Sequence, residues 1–164
     1  MSSQQIIRDH DRWRKGAGGA PAGLAGQSDN HAYASLDLNL AQFAASVFTG
    51  SSFTGCTLRQ AGWTGCQFTG CTFSACDFEG ISIAGCTFTD CTFTQSRFRQ
   101  SRFDACRFER CQWNELTFDG AHWRNVDVLD STGTTVEADG LAGERVDFTG
   151  SQFENMQMSN TRIN

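Results

Sequence analysis

Between Leu38 and Ile163 a large apolar residue returns at every fifth position. Phenylalanine takes most of these places: Phe43, Phe48, Phe53, Phe68, Phe73, Phe78, Phe88, Phe93, Phe98, Phe103, Phe108 and Phe118. An α-helix turns about 100° per residue, so residues five apart differ by about 140° and cannot share one buried stripe. A second set of small or medium residues stands two positions earlier in each unit, among them Cys56, Cys66, Cys71, Cys76, Cys86, Cys91, Cys106 and Cys111. Inward positions therefore alternate in steps of two and three. The step of two is the strand period, and the step of three inserts one extra residue, which implies a corner. Glycine is frequent at that corner, as in Gly50, Gly65, Gly70 and Gly85, and glycine reaches the positive φ that several turns require.

Short strands bent the same way at every corner wind into a coil, and stacked coils enclose one continuous apolar interior. The units Cys66-Gln67-Phe68-Thr69-Gly70, Cys76-Asp77-Phe78-Glu79-Gly80 and Ala121-His122-Trp123-Arg124-Asn125 closely resemble the repeat of the pentapeptide-repeat family. The resemblance runs over residues 36 to 164. It implies an all-β fold, a right-handed quadrilateral parallel β-helix with four pentapeptides per coil. The 26 units from position 38 to 163 then make about 6.5 coils. At ~4.8 Å per coil the rod is roughly 30 Å long.

The pattern falters where Gly133, Ala138 and Gly143 replace large residues, while Val136, Leu141 and Val146 fill the partner places. Val128 and Phe148 keep the twenty-residue register across this stretch, which predicts an exchange of volume between paired inward sites. A projecting loop over 131 to 146 is the competing reading. Residues 1 to 35 read as a separate N-terminal extension. Ser3 to Lys15 form a candidate helix with Ile6, His10 and Trp13 on one side and Gly16 as its stop, followed by a Gly/Ala linker. Disorder is the default expectation for this extension, and a helix folded over the first coil is the alternative.

All eight cysteines take the same inward place, in columns such as Cys66, Cys86 and Cys106. Side chains stacked in parallel at ~4.8 Å keep their Cβ atoms beyond usual disulfide reach, so buried free thiols are expected. Spacings of five do not match zinc motifs. No metal or cofactor is implied. His122 falls on an outward position beside Arg124 and reads as part of a solvated face. With no nucleophile motif, phosphate loop or converging carboxylates in the sequence, an enzyme is not expected. No segment is apolar enough to span a membrane and the first residues lack a secretion signal, which points to a cytoplasmic protein.

Function is then expected on the outer surface. Residues 36 to 94 sum to −3, residues 95 to 111 to +3 and residues 112 to 164 to −6. Arg97, Arg99, Arg102, Arg107 and Arg110 form a belt around one coil, where ion pairs between coils are the expected role and a partner-binding surface is the alternative. Direct nucleic-acid binding is not expected from an acidic chain with a single lysine. Columns carrying Thr72, Thr92 and Thr132, and Thr94 and Thr134, leave one flat side almost uncharged, a candidate docking surface for another protein. Such arrays also resemble those of ice-binding proteins, although threonine is simply a polar residue that suits a strand. Met156, Met158 and Ile163 reach the end without a visible cap, which predicts a two-fold, end-to-end homodimer through the C-terminal coils.

The leading expectation is a non-catalytic protein-interaction scaffold. The family resemblance also implies two alternatives. One is DNA mimicry that engages DNA gyrase and protects it from quinolones; the modest negative charge, the arginine belt and a last coil that ends without a dimerising helix count against it. The other is an adaptor role in a secreted-effector cluster.

Overall fold

The computed structural model describes residues 2–164 and shows a parallel β-solenoid of about 7 turns with one short N-terminal helix. Strands twenty residues apart pair in parallel, for example Thr72–Ser74 with Thr92–Thr94 on one side and Gln67–Thr69 with Thr87–Thr89 on the next. From Ser35 onward each corner residue has positive φ, and most are not glycine: Gln60 lies at 55°, Ala75 at 54° and Asp90 at 55°. The coil thus imposes a left-handed conformation that costs an L-residue roughly 1–2 kcal/mol, and glycine marks only some of the corners.

The outward residues define four faces. The first face begins with Gly23–Ala25 and continues through Gln42–Ala44 to Arg162–Ile163, and the second begins with Ser28–Asp29. The third, from Ala32–Ala34 to Gln152–Ser159, is a seven-stranded sheet. In the early coils the fourth face is linked only by isolated bridges from Asp37 through Thr57, Asp77 and Arg97 to Thr117. Later strands run around a corner without a break, as in His122–Leu129, so the first and second faces join in one 13-stranded sheet.

Inside, the large residues stack ring on ring. Phe48 and Phe68 lie 4.7 Å apart, Phe68 and Phe88 4.8 Å, and Phe88 and Phe108 4.7 Å, with interplanar angles of 8°, 7° and 5°. A second column runs through Phe73 and Phe93 at 4.8 Å, and a third through Phe78 and Phe98 at 4.5 Å. These spacings match the ~4.8 Å between parallel strands, because each ring rides on its strand. Phe103 is buried as well, parallel to Trp123. All eight cysteines are free and buried. Six of the thiols donate to carbonyls of the coil before, among them Cys76 to Phe53, Cys106 to Ile83 and Cys111 to Phe88, each at 3.2 Å, whereas Cys66 and Cys86 donate within their own coil to Thr64 and Ala84.

Residues 131 to 146 form an in-register coil and not a loop. Strand Thr132–Asp139 pairs with the strands before and after it, and Val136, Ala138 and Leu141 are buried. Trp113 and Phe153 approach to 5.8 Å across Gly133, filling the space its missing side chain leaves. Gly143 likewise sits between Trp123 and Ile163 in register.

The boundary expected at residue 36 is too late. The first coil starts near Ala22, since Gly23–Ala25 pair with Gln42–Ala44 and bury Leu24. Two things hide this coil from a periodicity reading: Leu24 lies nineteen residues before its partner Phe43, and Asp29 occupies a place that phenylalanine holds in the following coils. The Gly/Ala stretch therefore ends inside the solenoid instead of serving as a linker throughout.

Ahead of it, a helix spans Ser3–Arg14, capped by reciprocal hydrogen bonds between Ser2 and Gln5. It packs on the first coil through Ser3, Ile7, His10 and Asp11, a stripe with helical spacing. Trp13, expected on that inner face, is instead 39% exposed. The buried Asp29 accepts from Ser3 Oγ at 2.6 Å, from Ser51 Oγ at 2.7 Å and from the Tyr33 hydroxyl, so a carboxylate fits the coil end because the helix and two neighbouring hydroxyls satisfy it. His10 receives the Ala22 N–H on Nδ1 at 2.8 Å and places Nε2 2.7 Å from the Asn39 carbonyl oxygen, which fixes the neutral Nε2–H tautomer. Among the described residues, no helix is long and apolar enough to cross a membrane.

Candidate functional site

Because outward side chains recur every twenty residues, each face carries two straight columns. On the third face one column holds Ser52, Thr72, Thr92, Gln112, Thr132 and Gln152, and the other Thr54, Ser74, Thr94, Asn114 and Thr134 before Glu154. The sheet presents both rows uncharged over five coils, from Ser52 and Thr54 to Thr132 and Thr134. Thr134 Oγ1 donates to Asn114 Oδ1 at 3.3 Å, so neighbouring side chains link along the column.

The arginine belt separates into three environments. Arg110 pairs with Asp90 of the previous coil at 3.0 Å and with Glu109 at 3.1 Å, and Arg107 reaches the same Glu109 at 3.4 Å. On the fourth face Arg97 follows Asp77 in register, yet the Asp77 carboxylate is taken by Arg59 at 2.7 Å. Among the described residues, Arg97, Arg99 and Arg102 have no carboxylate within ion-pair distance. The expectation of ion pairs between coils therefore holds for Arg110, and outside the belt for Arg59, but not for the belt as a whole.

Arg102 lies on the first face, where it lines a groove of about 510 Å³. One wall is the column Arg102, His122, Ala142 and Arg162, and the other is Asp104, Arg124, Glu144 and Asn164. The floor is low because Ala142 and Gly143 follow His122 and Trp123 in register. Sequence reading placed His122 and Arg124 on a featureless solvated face and did not connect Arg162 to them. The signal was their twenty-residue offsets from Arg102 and Ala142.

At the C-terminal end Phe148, Phe153, Met156 and Met158 are only partly buried against the core, and Ile163 is 38% exposed. The apolar cross-section is thus open there. Burial pushes the Cys76 and Cys106 thiols up to about 12, so these side chains behave as small neutral core residues.

The sequence matches the family model for the pentapeptide repeat region over residues 61–139 and that for pentapeptide repeats over residues 37–74. The chain belongs to the pentapeptide-repeat family. No curated protein matches it. Among solved structures, a trypsin-treated form of QnrB1, described as a plasmid-mediated fluoroquinolone resistance protein, aligns over 84% of this chain and 91% of its own at 15% identity, with a TM-score of 0.57. A second trypsin-treated form aligns with the same coverage and identity at 0.55. At such identity the likeness speaks for the fold. HetL, a pentapeptide-repeat protein involved in heterocyst differentiation regulation from the cyanobacterium Nostoc sp., aligns over 96% of this chain and 94% of its own at 10% identity, with a TM-score of 0.25.

Proposed function

We propose that this protein is a non-catalytic interaction scaffold, a rigid rod that presents flat side-chain arrays to another protein. The observation that carries this reading is the third face, where two uncharged columns run side by side on one continuous sheet. A flat polar surface free of charge meets little desolvation cost on docking compared with one studded by ions. Thr72, Thr92, Thr94, Thr132 and Thr134 are the residues assigned to that surface. The open end formed by Met156, Met158 and Ile163 is assigned to a homodimer contact.

The test is affinity capture with tagged protein, comparing the native chain with Thr92→Glu and Thr132→Glu on the third face. Loss of one specific partner from these variants, with melting temperature unchanged, supports the reading. Identical capture by all forms refutes the third face as the docking side.

A second reading is mimicry of DNA toward DNA gyrase, which the acidic final third and the fold shared with QnrB1 favour. The +3 segment in the middle of the rod works against it, because a DNA-like field needs an unbroken negative surface. A supercoiling assay with purified gyrase and a quinolone decides this: protection by the protein supports mimicry, and unchanged inhibition ends it.

A further inference from the structure

We infer that the first-face groove over Ala142 receives an extended segment of a partner protein that carries acidic residues at alternate positions. This inference rests on the interaction-scaffold reading and names the chemistry of one contact.

The groove is asymmetric in charge across its width. Along one wall Arg102, His122 and Arg162 are all cationic or protonatable, and no carboxylate interrupts that column. Along the other wall Asp104 and Glu144 flank Arg124, their register neighbours on either side. Among the described residues, Arg102, Arg124 and Arg162 make no ion pair, so their guanidinium groups keep free donors. Free guanidinium groups are the usual partners of carboxylates, which they bind through paired N–H donors.

The dimensions select an extended strand. Arg102 and Arg162 stand three coils apart, ~14 Å at the coil spacing, which equals about four residues of β-strand. A strand laid along the rod turns alternate side chains to opposite walls. Acidic residues at every second position would then all face Arg102, His122 and Arg162. The intervening residues would face Asp104, Arg124 and Glu144, a wall of net charge −1 on which a second row of carboxylates gains less than the first. The groove is open along its length, a shape suited to a chain segment more than to an enclosed small molecule.

Charge placement, and not charge alone, is thus predicted to set affinity. The probes are fluorescein-labelled Glu-Thr-Glu-Thr-Glu, the all-Glu pentapeptide and Gln-Thr-Gln-Thr-Gln, titrated by fluorescence anisotropy against the full chain. The alternating peptide is expected to bind at least severalfold more tightly than the all-Glu peptide, and the Gln peptide not to bind. Arg102→Gln combined with Arg162→Gln is expected to weaken the alternating peptide about tenfold. Arg97→Gln combined with Arg99→Gln, on the fourth face, should leave it unchanged.

Tighter binding of the all-Glu peptide would reduce the effect to general attraction and overturn the inference. Equal loss in both double variants, or no binding by any peptide, would overturn it as well. If capture of a partner persists in the third-face experiment while all peptides fail here, the scaffold reading survives and only the groove assignment falls.

Discussion

Gly133→Ala tests directly whether the late coils exchange volume between paired inward sites. A Cβ at this position would stand 2.7 Å from Phe153 Cδ1 and closer still to the Trp113 carbonyl oxygen. Carbon contacts relax at about 3.5–4.0 Å, so the added methyl needs a separation of roughly an ångström from a ring above and a strand below. Overpacking of this kind costs about 1–3 kcal/mol. For a chain of this length each kcal/mol lowers the melting temperature by about 2–4 °C, so a fall on the order of 5 °C is expected by thermal circular dichroism. Gly23→Ala is the control, because its Cβ would meet nothing within 4 Å and its φ is not positive; a change within about 0.5 kcal/mol is expected there. Gly143→Ala should fall between the two, since its nearest obstacles are the Val146 Cγ2 at 3.0 Å and the Ile163 side chain, both movable at the open end. Truncating Phe153 should restore only part of the Gly133→Ala loss, because the clash with the Trp113 backbone remains. Three alanine variants melting together would refute the packing argument and favour a stretch held outside the core.

Three further outcomes follow from named contacts. Burial holds the His10 pKa below 6.5, while Asp37 and Asp11 raise it and Arg14 lowers it. The folded value being the depressed one, the helix cap is fully stabilised above the unfolded value and weakens as pH falls through the folded value. Hydrogen exchange corrected for intrinsic rates should show the Ala22 amide losing protection only at pH values below the ordinary histidine value of 6.5, with amides such as Phe88 unaffected; equal protection at all pH values would contradict this. The eight buried thiols should resist a soluble disulfide reagent in the native protein and all react after unfolding; rapid native labelling would count against the core placement. Light scattering at micromolar concentration should give twice the chain mass, and Met158→Glu should return the monomer; a native monomer removes the dimer assignment.

What was legible differed along the chain. The five-residue period exposed the core of the middle coils because every unit repeats the same two inward places, with Phe68, Phe88 and Phe108 as one column. The first coil escaped because one residue fewer separates Asp29 from Tyr33 than the repeat demands, and because a polar residue took a core place. Its satisfaction by Ser3 and Ser51 depends on contacts across 26 and 22 residues, which no local pattern reveals. The helix was recognisable by the spacing of Ile6, His10 and Trp13 and by its stop at Gly16, but not the face it buries. Of the side expected to hold Ile6, His10 and Trp13, His10 is buried and Trp13 is not, because His10 and its neighbour Asp11 find hydrogen-bond partners in the coil.

The amino-acid order alone determined that this chain coils, how far apart its turns stand and which side chains fill the interior of the regular coils, because a strict repeat leaves one way to bury its large residues. Only the tertiary structure decided where the coil begins, which arginines are tied up in ion pairs and which remain free. The start depends on hydroxyl partners for Asp29 far away in the chain, and the ion pairs on which carboxylate reaches which guanidinium across neighbouring coils. Asp77 stands in register with Arg97 yet bonds Arg59, a competition settled by side-chain geometry and not by spacing.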